Sequence, residues 1–205
     1  NGLLAALAGR FVPAGPSGAP SRGRLDVLPT GRNFYTVDVR NLPTTTAWRL
    51  GFASANLILE RHLQDHGDHL RQLGLSVWGT ATMRTGGDDI AQAMALMGVR
   101  PVWATGSQRV DDFEILPLSI LDRPRVDVTL RVSGFFRDAF ASLIRLFDAA
   151  VQAVAALDEP DDLNPLAARV RQERLELQAK GISEEDARRQ AGWRIFGAKP
   201  GAYGA

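Results

Sequence analysis

Two adjacent carboxylates, Asp88 and Asp89, follow a turn holding Arg84 and Thr85 within LGLSVWGTATMRTGGDDIAQAMALMG, Leu73 to Gly98. In the first turn of a helix, carboxylates accept orphan backbone N–H groups and face the positive end of the dipole. That placement lowers a carboxyl pKa, which suits a metal ligand better than a proton acceptor. Arg84 adds a planar fork matched to carboxylates and phosphates. A second polar group, Ser133-Gly134-Phe135-Phe136-Arg137-Asp138, stands at another strand-to-helix junction. Ser133 lacks the glycine spacing of a nucleophile elbow, so Ser133 or Asp138 reads as a helix cap, while Phe135 and Arg137 fall on the same kind of edge as Arg84. His62 and His66, four residues apart, have the spacing to hold a metal between two imidazoles. No third ligand is evident, and histidines also suit the negative end of a helix.

These groups need a scaffold. Leu73–Trp78 reads as a strand, Gly79–Gly87 as a polar turn and Asp88–Met97 as a helix. Polar groups then lie at the carboxyl end of a strand, where open α/β sheets bind ligands. Pro43 and Thr44–Thr46 start a helix through Trp48, Phe52, Ala55, Leu59 and Leu63 that ends near Gly67. Further strands are expected at Phe34–Val39, Pro101–Trp103, Phe113–Leu116 and Val126–Val132, and one long helix over Phe136–Leu157. The alternation argues for an α/β fold, a mainly parallel sheet with helices on both sides. Leu166–Lys180 and Ser183–Ala191 read as charged surface helices, the second opened by Ser183 with Asp186 three residues on. A short helix over Asn1–Phe11 precedes PAGPSGAPSRGRLDVLPTGRN, too rich in Pro and Gly for helix or central strand. That loop carries Arg22, Arg24, Asp26, Arg32 and Asn33, so it is either a linker or part of a site. The expected organisation is residues 1–33 as helix and loop, 34–160 as α/β core, and 161–205 as charged helices with a Gly-rich tail.

With 205 residues, 45% hydrophobic and 23% charged, the chain is long enough to bury a core. Lys+Arg 24 against Asp+Glu 23 leaves a net charge of +1, which gives no case for nucleic acid or a membrane surface. Lys180 and Lys199 are the only lysines, an arginine bias that a GC-rich gene also produces. Zero cysteines exclude a disulfide framework, a thiolate zinc site and a cysteine nucleophile, and fit a cytoplasmic location. No stretch is long and apolar enough to be a membrane span. Neither Lys180-Gly181 nor Lys199-Pro200 forms a P-loop, so any ATP used in the reaction is expected to bind elsewhere. The chain starts Asn-Gly and ends Gly-Ala-Tyr-Gly-Ala, which reads as a piece of a longer protein.

Long phrases then resemble one family in order: GPSGAPSRGRLDVLPTGRNFYTVD, WGTATMRTGGDDIAQAMALMGVRP, ILPLSILDRPRVDVTLRVSGFFRDAF, LFDAAVQAVAALDEPDDLNPLAARV and RIFGAKPGAYGA. They resemble the large subunits of cobaltochelatase and magnesium chelatase over nearly the whole chain, as an internal fragment. The cobalt branch is the better match, because the magnesium pattern has Tyr at the Gly86 position and Glu-Ser for Asp88-Asp89. The resemblance implies insertion of cobalt(II), as substrate, into hydrogenobyrinic acid a,c-diamide in aerobic cobalamin synthesis. It implies AAA+ motor subunits as partners, which hydrolyse ATP that this chain does not bind. Asp88 falls at the position of a magnesium-chelatase glutamate assigned to the active site, as ligand or proton acceptor, with His66 as a second metal-handling residue. Arg32, Asn33, Arg84, Thr85 and Arg137 would hold the carboxylates of the macrocycle, and Trp78, Phe135 or Tyr35 would cover its face. The alternatives are a magnesium chelatase subunit acting on protoporphyrin, a non-enzymatic tetrapyrrole-binding protein, and a docking surface for the motor.

Overall fold

The computed structural model describes residues 2–13, 15, 20, 25–29 and 37–201. The first half runs α1 (Gly2–Leu7), α2 (Thr45–His66), β1 (Gln72–Val77), α3 (Gly79–Thr85), α4 (Asp88–Met97), β2 (Val99–Trp103) and β3 (Val110–Ile115). The second half runs α5 (Leu118–Leu121), β4 (Asp127–Val132), α6 (Gly134–Ala139), α7 (Ala141–Ala155), α8 (Pro165–Ala179), α9 (Glu184–Ala191) and β5 (Ile195–Gly197). Among the described residues no helix is long and apolar enough to cross a membrane.

α4 is the hub, with every residue from Ile90 to Met97 buried. α2 lies along it through Ala47, Gly51 and Ala55, three buried small residues at four-residue spacing. Gly51 is the closest point, since a Cβ there would stand 2.6 Å from the Gln92 backbone nitrogen and 2.8 Å from the Asp88 carbonyl oxygen. Gln92 Nε2 donates to Ser54 Oγ across the same seam. α2 begins and ends as its residues dictate: Thr44 Oγ1 accepts from Ala47 N at 3.1 Å, and Gly67 takes the left-handed cap.

β1, β4 and β5 form a parallel sheet in that order, with Leu75 opposite Leu130 and Leu130 opposite Ile195. Val77, Val128, Leu130 and Val132 point into the core shared with α4 and α7. The intervening positions, Gly74, Ser76 and Arg131, are exposed. Both crossovers step the same way across the sheet, and crossovers of one hand that do so lie on one face. Among the described residues helices therefore cover one side of this sheet, where helices on both sides were expected.

Other expectations also change. The turn expected over Gly79–Gly87 is helical through Thr85. The expected strands Pro101–Trp103 and Phe113–Leu116 are β2 and β3, paired antiparallel in their own sheet, because the six residues joining them are too few for a parallel crossover. The single helix expected over Phe136–Leu157 breaks at Phe140 (φ −120°, ψ 39°), where the buried rings of Phe136 and Phe140 stack at 5.3 Å. The strand expected at Phe34–Val39 falls partly outside the described residues, and Val39 itself opens a 3-10 turn, Val39–Asn41. β5 was not foreseen; it is seated by Arg194, whose Nε donates to the buried Asp127 carboxylate at 2.7 Å.

The seam at Gly51 yields a test by urea denaturation of this chain. Ala in place of Gly in a helix ordinarily gains up to about 1 kcal/mol, whereas overpacking costs about 1–3 kcal/mol. Since the new methyl meets backbone atoms that cannot rotate away, Gly51→Ala lowers stability. A midpoint at or above wild type would show that the helices part freely.

Candidate functional site

The carboxyl ends of β1 and β4 are tied together by Ser133. Its N–H donates to Val77 O at 3.0 Å, and its Oγ accepts from Gly79 N (3.2 Å) and Phe136 N (3.1 Å). With both N–H groups on its oxygen, Ser133 is the cap of α6 and a brace to the start of α3. Gly79 has no room for a side chain, because a Cβ would lie 2.5 Å from the Phe135 ring. Trp78 precedes it, 57% exposed at the rim.

α3 leads from this edge to a second cluster, about 10 Å away at 1.5 Å per residue. Thr80, Met83 and Arg84 are exposed on one side of it, at i, i+3 and i+4. The Arg84 guanidinium makes no hydrogen bond or ion pair among the described residues, so its fork is available to a ligand. The helix then stops at Gly86 (φ 81°) and Gly87 (φ 91°), a left-handed pair that L side chains rarely adopt. Crowding adds to this, since a Cβ at Gly86 would stand 3.0 Å from Thr44 Oγ1 and one at Gly87 3.3 Å from Pro43 Cα. Thr44 N donates to Gly86 O, and Trp103 Nε1 donates to Pro43 O, both at 3.0 Å. Thr85 Oγ1 accepts from Gly87 N and Asp88 N at 3.3 and 3.4 Å, which makes it a brace for the start of α4.

Asp88 and Asp89 sit half-buried in the first turn of α4. Burial, and secondarily the charge of Asp88, holds the Asp89 carboxyl above the ordinary 3.8. That is opposite to the lowering expected from a helix start, and both causes, burial and the neighbouring Asp88 charge, act in the raising direction. A carboxyl raised by burial suits a proton acceptor better than an ordinary carboxylate does, and local pattern did not single out Asp89, since its burial depends on how α4 packs.

The remaining candidates are placed apart. Arg137 Nε and Nη2 donate to the Asp138 carboxylate, and Nη1 donates to Ala198 O, so this guanidinium links α6 to the chain beyond β5. His66 is exposed, its ring stacked on His62 at 4.3 Å with Nδ1 3.1 Å from His62 O. It lies fifteen residues along α2 from Gly51, the contact of Asp88, or about 22 Å of helix. His66 and Asp88 thus do not form one ligand set, and among the described residues no three His, Asp or Glu side chains are grouped to hold a metal. Arg32, Asn33 and Tyr35 lie outside the described residues.

A groove of about 800 Å³ runs over the exposed face of the sheet, past Gly74, Ser76, Arg131 and Phe196, and reaches Trp78, Ser133, Gly134 and Ala198 at the strand ends. The whole chain, residues 1–205, matches the family model described as CobN/Magnesium Chelatase. The chain belongs to that family. It is 85% identical over its full length to "Aerobic cobaltochelatase subunit CobN" of Pseudomonas aeruginosa, 16% of that protein. It is 38% identical over 202 residues, 98% of this chain, to "Magnesium-chelatase subunit ChlH, chloroplastic" of Oryza sativa subsp. japonica, 14% of that protein. Among solved structures, the "Catalytic Subunit of Cobaltochelatase from Mycobacterium tuberculosis" superposes with a TM-score of 0.81 at 51% identity, over 99% of this chain and 17% of that one. The chain thus spans about a sixth of the length of these relatives.

The raised pKa of Asp89 has a measurable sign. A carboxyl that binds its proton more tightly when folded contributes stability that is full below the unfolded value and is lost as pH rises through the folded pKa. Wild type therefore loses stability relative to Asp89→Asn as pH climbs from 3.8. Urea midpoints of both proteins across that range check this, and parallel curves would mean the carboxyl is not held up.

Proposed function

We propose that this chain is a piece of the metal- and macrocycle-handling subunit of a cobaltochelatase, which inserts cobalt(II) into hydrogenobyrinic acid a,c-diamide while separate motor subunits hydrolyse ATP. The observation that carries the reading is the full-length match at 85% identity to an aerobic cobaltochelatase subunit, against 38% to a magnesium-chelatase subunit. The paired carboxylates support it in chemical terms. Cobalt(II) accepts carboxylate and imidazole ligands, and its entry displaces protons from ring nitrogens.

In this reading Asp88 meets the incoming metal, and Asp89, held above the ordinary carboxyl range, accepts a ring proton. Arg84 pairs bidentately with a macrocycle carboxylate, and Trp78 offers an aromatic face to the ring. Arg32 and Asn33 would add polar contacts from the Pro/Gly loop. Thr85 acts indirectly by holding the backbone N–H of Asp88. Arg137, already turned to Asp138 and Ala198 O, would fix the edge rather than grip the substrate. His66 would serve only at a separate locus.

Reconstituted with its motor partners and ATP, the full-length subunit carrying Asp88→Ala or Asp89→Asn is expected to lose cobalt insertion by about 100-fold or more. Arg84→Ala is expected to raise KM for the macrocycle about tenfold while kcat changes less. Undiminished insertion in both aspartate variants would remove the site assignment. Faster insertion of magnesium into protoporphyrin than of cobalt into the corrin precursor by wild type would overturn the substrate assignment.

A further inference from the structure

Among the described residues the parallel sheet leaves one side open, and its residues are unlike those of an ordinary solvent-facing strand surface. Gly74, Ser76 and Thr129 form a floor of small side chains, and a Cβ at Gly74 would meet nothing within 4 Å. Arg131 rises between Ser76 and Phe196, its register neighbours on β1 and β5. It is exposed, and its guanidinium makes no hydrogen bond or ion pair among the described residues. Phe196 is 50% exposed beside it.

Parallel sheets are almost always covered on both faces. Within this chain the cover cannot come from the crossovers, which both lie on the α4 and α7 side because the strand order never reverses. The relatives are far longer, with this chain equal to 16% of one and 17% of another. We infer that a helix from the remaining length of the subunit lies across the open face, close against Gly74, Ser76 and Thr129, with an acidic residue paired to Arg131 and apolar side chains on Phe196.

The small floor lets a helix backbone approach closely, and the unpaired guanidinium of Arg131 sets the charge its partner needs. A polypeptide fits better than a ligand, because six-residue strands run about 20 Å and a molecule at their carboxyl edge would leave most of that length wet. The inference rests on membership of the family and not on which metal or macrocycle is handled.

The test is cysteine labelling in the full-length subunit, with neither macrocycle nor metal present, read peptide by peptide in a mass spectrometer. Ser76→Cys and Thr129→Cys are expected to react with a maleimide at least about tenfold more slowly in the native subunit than in the same subunit unfolded in urea. Adding Arg131→Glu to either variant should restore much of the reactivity, whereas Arg131→Lys should not. Native labelling within about twofold of the unfolded rate would overturn the inference. So would protection that arises only when a tetrapyrrole is added, since that would put the ligand on the face. Neither result bears on cobalt insertion, so the two readings fail separately.

Discussion

A helix buried at its carboxyl end must have its last carbonyls satisfied by the protein itself, and α4, buried from Ile90 to Met97, is such a helix. Its last carbonyls have no partner inside the helix, and each would cost about 1–3 kcal/mol if left bare. Two arginines from the segment before β4 take them. Arg123 donates to Ala95 O and Leu96 O, and Arg125 donates to Met97 O and Gly98 O while its Nε and Nη2 engage Glu159. Burial pushes Arg123 down to about 10, still charged at neutral pH. Arg125 is 1% exposed, and Asn164 completes its shell by donating to the same Glu159 carboxylate. Glu159 is in turn held below the usual carboxylate range by Arg125. The core helix, the start of β4 and the start of α8 are thereby fixed by one charged network.

At the other end, Thr85 Oγ1 accepts from Gly87 N and from Asp88 N, the first N–H of α4, and Asp88 and Asp89 ride on the turn it braces. The candidate chemistry therefore depends on the same requirement as the core. The raised Asp89 carboxyl follows from its half-buried place on the first turn of that core helix, beside the Asp88 charge.

Much of this was legible in the residues. Thr44 and Gly67 bounded α2 because caps are local chemistry, and Asp88 to Gly98 bounded α4 for the same reason. The polar edge at Trp78 and Ser133 followed from strands that run into Gly-containing turns. What was not legible depended on contacts distant in the chain. Gly79 to Thr85 reads as a turn from composition, yet it is held helical between two anchored ends. β5 has three residues, too few to show a period, and is placed by Arg194 reaching Asp127. The Phe140 break is a matter of ring packing inside an unbroken apolar stripe, and the coverage of one sheet face follows from strand order, which no local pattern reports. In the site, spacing brought Arg84 and the aspartates together but could not distinguish Asp88 from Asp89, nor show that Arg137 is occupied.

The two hydrogen bonds that bracket α3 bear on how this surface can respond to a guest. Gly79 N is anchored on Ser133 and Gly86 O on Thr44, so the helix between them is a beam clamped at both ends. Each anchor opposes rotation of α3 as a unit. In the proposed site, accommodation of differently shaped guests would fall to the rotamers of Arg84 and Trp78, and immobilising the long arginine side chain would cost up to about 2 kcal/mol of entropy in the encounter.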